Sequence, residues 1–567
     1  MDIEKLILTS ALENAIKFKG KASPGSIIPK VLGADPTAKT RMKEISQQIN
    51  KVVGEVNALS LEEQNAKLLE LIPDFFEKEN QKKQERKAAR RELPELKGAE
   101  MGKVVTRISP EPSKYNHLGH AVSFLLNYLY AKKYEGKCLL RFEDTNPEKS
   151  ADEYVKAMRE DVLKYLDIQV DGEVIVSDHM QTYYEFAERL INAGDAYTCS
   201  CPSEEISQNR RNMVACACRD KTPEEVMKEW KEMCEGDLPE GSMTLRLKVD
   251  MAHKNAVMRD PVIFRMSFTP HYRTNEKYKC WPMYDFENAI EEGLMEVTHV
   301  LRSNEFESRI ELQDHIRSLF GLPNPVVKQY ARFNITGAVT QGREIRELIE
   351  TGNYIGWDDP RLVTLRALRR RGIVKEAFYE LAKTVGMSQS SSQLDFSVIA
   401  ALNRSILDEK AKRFFCIADG ITITVEGAPT KTCELHLHPH HHKGGRTFNV
   451  TDSFIVSEAD IARLKDGELF RLMDCINVRK KGDSFVFEGE DVAVYKKEGK
   501  NIIHWLPNDT EQLREIEIRM PDNSLQKAFA EKTISEININ DVVQFERFAF
   551  CRLDAIGNVP QFWFTHQ

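Results

Sequence analysis

His117 and His120 stand three residues apart around Gly119, directly after the loop Ser109-Pro110-Glu111-Pro112-Ser113. At a helix start that spacing puts both imidazoles on one side of the opening turn, beside the free N–H groups that attract an anion. The chemistry that suits this pattern is the binding of a nucleotide phosphate. A second cluster has metal-ligating spacing: Cys199-Ser200-Cys201 and Cys216-Ala217-Cys218 are two Cys-x-Cys pairs separated by 14 residues. Four such thiolates can close a tetrahedral Zn²⁺ site and anchor a small domain with little core of its own. Free buried or surface thiols are the alternative, because a one-residue spacer is less common than a two-residue one.

The elements that must carry the histidines follow from periodicity. Val104 to Ile108 reads as a strand, Val122, Leu125, Leu126 and Leu129 recur at helical spacing, Gly136 stops that helix, and Lys137 to Phe142 reads as a second strand. This is a βαβ unit of a parallel sheet, which places a ligand outside the strand ends, at Arg107 to His120 and at Glu143-Asp144-Thr145. Alternation continues to about Ala196 and is broken over residues 197 to 262 by cysteines and charged helical sequence, which predicts a domain inserted between the halves of a doubly wound sheet. It is expected to resume with Val262-Ile263-Phe264-Arg265, Lys279 to Phe286 and Val297 to Phe306.

Residues 337 to about 400 read as helical, with Arg366, Arg369, Arg370 and Arg371 clustered after Gly356-Trp357-Asp358-Asp359-Pro360-Arg361-Leu362. From Gly420 the period becomes two. Ile421, Ile423 and Val425 alternate with threonines, Gly482-Asp483 reads as a turn between strands, and Val492 to Tyr495 is expected to pair with Ile502 to Leu506 around Glu498-Gly499. One or two β-barrels are therefore expected there. Residues 1 to 98 read as a helical domain ending in the charged run Lys82 to Arg91, a solvated helix face in preference to an RNA patch.

At 567 residues the chain has material for several cores. A formal charge of −8 gives no global basic field, so any nucleic-acid contact must be local. No apolar run approaches the roughly 18 residues of a membrane span, and Met1-Asp2-Ile3-Glu4-Lys5 has no signal core, so a cytoplasmic location is expected. Eleven cysteines without an export signal favour thiols or metal ligation over a disulfide framework. There is no GxxxxGK[ST] phosphate loop, GxGxxG fingerprint or HExxH pair.

The string Thr106-Arg107 through Pro110-Glu111-Pro112-Ser113 to His117-Leu118-Gly119-His120, with Leu140-Arg141-Phe142-Glu143-Asp144-Thr145-Asn146-Pro147-Glu148, resembles the class I aminoacyl-tRNA synthetases, the four-residue turn standing as their HIGH motif. Both strings look like the glutamyl and glutaminyl branch, and the late change of period to two is similar to the archaeal-type glutamyl group. One departure is Lys114, where the family usually has Gly.

The resemblance implies a multidomain chain: a helical N-terminal domain at 1–98, a Rossmann-like α/β catalytic domain in halves at 99–196 and 263–336, an inserted acceptor-end-binding domain at 197–262, a helical connector at 337–404 and anticodon-binding all-β barrels at 405–567. It implies attack of an amino-acid carboxylate on ATP, with Mg²⁺, and acyl transfer to tRNA(Glu), leaving charging of tRNA(Gln) open. His117 and His120 would contact the ATP phosphates, with Gly119 allowing close approach and Ser303, Arg332 and Phe333 lining the adenosine side. Arg107 and Arg302 would hold the two carboxylates of glutamate, Glu143 its amino group, and Tyr284 a hydroxyl contact. A bidentate guanidinium suits a carboxylate and not an amide, so Arg302 favours glutamate.

A second departure lies where the family has a KMSKS-type loop, since Gln341-Gly342 occupy its serine and lysine positions. Arg343 is expected to provide the missing charge. Two alternatives stay open: a glutaminyl-tRNA synthetase, and a catalytically impaired tRNA-binding paralogue. Finally His436, His438, His440, His441 and His442, next to Lys443-Gly444-Gly445-Arg446, read as an exposed loop suited to RNA phosphates or unpaired bases in preference to a metal.

Overall fold

A computed structural model describes residues 3–18, 20–34, 41–73, 75, 92–387 and 392–567; the charged run 82–91 lies outside the described residues. The chain divides into two compact units, Met1–Glu92 and Leu93–Gln567.

In the first unit, helices Ile3–Lys17, Pro24–Ala34, Met42–Asn57 and Leu61–Leu71 enclose a core of Ile7, Leu12, Ile27, Ile49, Val53 and Leu68. Gln64 is buried among them, and its amide donates to the carbonyls of Gly20 (3.0 Å), Val56 (2.9 Å) and Leu59 (3.2 Å). It thereby ties Gly20 to the end of the third helix and to the turn that follows it.

In the second unit, parallel strands Val105–Ile108, Lys137–Phe142 and Gly172–Ile175 pair in that order. Strand His299–Ser303, parallel to Val326–Tyr330, lies on the other side of Val105–Ile108. The Thr298 N–H donates to the Val105 carbonyl (3.0 Å) and the Val105 N–H to Thr298 Oγ1 (2.8 Å). The strand order therefore runs both ways from the first strand, and the ligand-binding switch point falls between the ends of Val105–Ile108 and His299–Ser303.

The inserted region corrects one expectation. Val262–Met266 and Cys280–Pro282 do not resume the parallel sheet; they are the third and fourth strands of an antiparallel sheet with Ala196–Cys199 and Thr244–Leu247. The parallel sheet resumes only at His299, so the inserted sheet runs past residue 262. Short apolar runs covered on both faces look alike in either kind of sheet, and Ile263, Phe264 and Trp281 are buried in one core with Trp230.

Helices Gly342–Glu350, Leu365–Arg370, Lys375–Val385 and Phe396–Leu407 follow. Beyond them lie two seven-stranded sheets, with cores around Trp505, Phe454 and Phe448 and around Phe545, Ile516 and Phe562, and a hairpin of Lys431–His438 with His442–Val450. Gly482-Asp483 turns between Asn477–Lys481 and Ser484–Gly489 as expected. Val492–Glu498 is a helix and not a strand, because Asp491 accepts the Ala493 N–H (2.7 Å) and caps it. Strand Asn501–Ile503 pairs instead with Leu469–Leu472. Among the described residues no helix is long and apolar enough to cross a membrane.

Candidate active site

The loop that ends the first strand is held from behind by the helical connector. The Leu118 N–H donates to the Val363 carbonyl (3.0 Å) and the Leu365 N–H to the Asn116 carbonyl (2.8 Å). Tyr115 lies between Trp357 and Tyr154, with ring centroids 5.1 and 5.3 Å away. The run from Trp357 to Leu365 is thus a buttress for the histidine turn.

On that turn His117 is the helix N-cap. Its Nδ1 accepts the Gly119 N–H (3.1 Å), His120 Nδ1 accepts the His117 N–H (3.1 Å), and the two rings stack at 3.8 Å. A backbone N–H can only donate, so each neutral ring must carry its proton on Nε2. Burial, followed by the charges of Lys114 and Arg332, lowers the His117 pKa to about 3. Burial holds His120 well below the ordinary imidazole range as well. The turn therefore presents two neutral N–H donors. A Cβ on Gly119 would stand 3.1 Å from His117 Cε1, so the glycine makes room for the stacked ring.

The amino-acid residues named from sequence lie on the neighbouring strand ends. Arg107 faces Glu292 through Nε and Nη2, each 3.0 Å from Oε1. Arg302 is 5% exposed and donates from Nη2 to Gln313 Oε1 (2.8 Å), which Asp285 orients in turn (3.1 Å). Its Nε and Nη1 are buried without a hydrogen-bond partner. Glu143 Oε1 accepts from Arg141 Nε (2.9 Å) and Nη2 (2.6 Å), and its Oε2 is buried and unpartnered. Burial, followed by the Glu143 charge and a hydrogen bond with Glu143, pushes the adjoining Glu287 carboxyl well above its usual range. Tyr284 is pushed up to about 12 by burial, against the opposing pull of Arg302. Asp144 serves the fold: it accepts from the Ser177 N–H and Oγ and from the Tyr272 hydroxyl.

One cavity of about 970 Å³ is lined by His117, Gly119, His120, Arg107, Glu143, Tyr284, Arg302, Ser303, Arg332 and Phe333. That volume is at the upper end for small-molecule sites and suits a nucleotide with a second ligand. Arg343 is exposed at the start of helix Gly342–Glu350 and does not line the cavity, contrary to the role expected of it. Sequence reasoning missed the polar supports Glu292, Gln313 and Arg317, the last 3.2 Å from Glu292. They lie on helices without a local signature, and only the fold brings them to the strand ends.

The sulfurs of Cys199, Cys201, Cys216 and Cys218 all lie within 4.8 Å of one another, with Cys199 and Cys216 at 3.8 Å. Tetrahedral zinc with bonds near 2.3 Å requires sulfurs about 3.8 Å apart, so the donor set fits that ion. The histidine cluster is different. His438 is buried, contacts the Asp408 carbonyl through Nε2 (3.0 Å) and accepts the His440 and His441 N–H groups at Nδ1 (3.2 Å each). It builds the hairpin tip, which corrects its reading as an exposed RNA-contact residue.

Residues 103–409 match the family described as tRNA synthetases class I (E and Q), catalytic domain, and residues 411–495 and 502–554 match two anticodon-binding domain families of the same group. The chain is 39% identical over 571 residues to a glutamate–tRNA ligase of Pyrococcus furiosus and 37% identical over 560 residues to one of Methanocaldococcus jannaschii, with 98% of each chain covered in both comparisons. A glutamate tRNA ligase crystal structure from Elizabethkingia meningosepticum, solved in complex with its amino acid, superposes at a TM-score of 0.39 and 18% identity over 55% of this chain and 70% of that one. With the class I catalytic match spanning more than half its length, the chain belongs to the class I tRNA synthetases of the E and Q group.

Proposed function

We propose that this protein is a glutamate–tRNA ligase that joins L-glutamate and ATP into glutamyl-adenylate and passes the acyl group to the 3′ end of tRNA(Glu). The observation that carries the choice of glutamate is Arg302, a buried guanidinium that lines the same cavity as the histidine turn and is paired with no carboxylate among the described residues. A desolvated guanidinium with open donors calls for an anion, and a carboxylate fills that fork where the amide of glutamine does not. This weighs against a glutaminyl enzyme, and the joint lining of the cavity by His117, His120, Arg107, Glu143, Tyr284 and Arg302 weighs against an inactive paralogue.

In this reading Arg302 and the face of Arg107 not engaged by Glu292 hold the carboxylates, Glu143 holds the ammonium, and the Tyr284 hydroxyl completes the pocket. The α-carboxylate oxygen attacks the α-phosphorus of MgATP, and the electron pair of the breaking P–O bond leaves on pyrophosphate. The Nε2–H groups of His117 and His120 donate to the phosphate oxygens as charge moves, and Ser303, Arg332 and Phe333 hold the adenosine. A terminal ribose hydroxyl oxygen of tRNA then attacks the acyl carbon, the bond from that carbon to the phosphate oxygen breaks, and AMP departs while the hydroxyl proton passes to the leaving phosphate or to water. The inserted sheet serves the acceptor end and the two C-terminal sheets the anticodon.

Aminoacylation of purified tRNA(Glu) and tRNA(Gln) with labelled glutamate or glutamine tests this. Glutamate on tRNA(Glu) is expected, and the tRNA(Gln) lane reports whether the enzyme discriminates between the two. Preferential charging with glutamine, or no charging by folded protein, would overturn the reading.

Zinc is proposed at the four cysteines, as a structural ion that anchors the inserted domain. Protein purified without chelator is expected to hold about one zinc per chain, and Cys216→Ser with Cys218→Ser to hold none and to gain an earlier thermal transition. Full-length protein that binds no zinc would refute this.

A further inference from the structure

The two departures from the family pattern touch each other. Lys114, on the loop before the histidine turn, is half-buried, lines the cavity and makes no hydrogen bond or ion pair with the described residues. Gly342 opens the helix that follows the KMSKS-type position. A Cβ there would stand 3.2 Å from Lys114 Cδ and 3.3 Å from its Cβ, so a side chain at 342 would press on the lysine stem. The backbone at Gly342 is not left-handed, so conformational freedom does not account for the glycine. The neighbouring Arg346 donates to the Ser113 carbonyl (3.3 Å), which ties this helix to the loop.

We propose that Lys114 is the cation that meets the ATP polyphosphate from this side of the cavity, supplying from the first loop the charge that Gln341-Gly342 do not. The inference rests on the function proposed above. The ammonium stands among like charges: Arg332 and Arg346 repel it and Glu111 draws it, while burial is the largest influence lowering its pKa. A desolvated, unpaired cation of this kind is stabilised by an arriving polyanion, and its point charge suits phosphate. As the bond between the α-phosphorus and its bridging oxygen breaks, Lys114 lies on the side of the departing pyrophosphate and balances the charge gathered there. Arg343, being exposed and outside the lining, does not take this role.

The test uses the full chain. Lys114→Met keeps the stem and removes the charge; it is expected to weaken ATP binding, measured by calorimetry, about tenfold or more, to leave adenosine binding within about twofold, and to lower kcat/KM for ATP roughly 10²-fold or more. Lys114→Gly combined with Gly342→Lys returns the charge to the other loop and is expected to recover at least about tenfold of what Lys114→Gly alone loses. ATP affinity of Lys114→Met within twofold of the parent would overturn the inference. If the parent charges no tRNA while Lys114→Met still loses ATP and not adenosine, the inference stands and the ligase reading falls.

Discussion

Arg302→Ala is expected to lower kcat/KM for glutamate by about three orders of magnitude, the scale of losing one partner of a buried, hydrogen-bonded charge pair. Nη2 of the guanidinium donates to Gln313, the Phe306 ring stands 5.5 Å from it, and Nε and Nη1 are buried without a hydrogen-bond partner. Those open donors are a cost to the fold that the substrate offsets. The thermal midpoint of the variant is therefore expected not to fall below that of the parent, and glutamate is expected to shift it far less than it shifts the parent. Arg302→Lys, which keeps a charge without the planar fork, should recover only part of the loss. Charging kinetics with glutamate and glutamine side by side check the argument, because glutamine never had the charge pair to lose and its weak activity should change little. Equal losses for both amino acids would mean that Arg302 shapes the pocket without reading the carboxylate.

The histidine turn was legible in the sequence because its signal is local, whereas Arg302 was reached only through the resemblance to the glutamyl branch. A strand end, a short loop and a helix start fall within one continuous stretch, and periodicity places them at the mouth of a parallel sheet. What could not be read depends on partners far along the chain. Arg107 meets Glu292 across 185 residues, a pairing that halves the free edge of a guanidinium assigned wholly to substrate. Gly342 and Lys114 each look like a loss when taken alone; only the fold shows that one fills the space the other leaves. The end of the insertion was misplaced because Val262–Met266 and Cys280–Pro282 are too short and too apolar to declare their sheet, and Val492–Glu498 was misread because the Asp491 cap outweighs four alternating side chains. His438 shows the reverse case: in a cluster that looks functional by composition, the ring is spent on the amides of its own turn.

The second large effect is expected at the stacked imidazoles. His120→Leu should lower kcat for glutamate activation by roughly 10²- to 10³-fold, the usual loss on removing one preorganised donor to developing charge, and His117→Leu by a similar factor. The double variant should fall short of the product, since the rings stack on each other and His120 Nδ1 accepts the His117 N–H, so each helps to set the other's position. The pH dependence separates this account from one in which imidazolium does the work. With His117 near 3, its ring in the free enzyme is neutral from pH 5.5 to 8, and burial shifts His120 in the same direction, so kcat/KM for ATP should show no inflection from His117 in that window. A tenfold fall per pH unit above about 6.5 would instead require a charged ring. Stability carries the same signature with a definite sign. Between the unfolded imidazole value and about 3 the unfolded chain binds a proton that folded His117 does not, so its burial contributes stability that is fully present above pH 6.5 and is lost as pH falls through that interval. Thermal midpoints measured from pH 8 down to pH 4 should therefore decline less steeply in His117→Leu than in the parent.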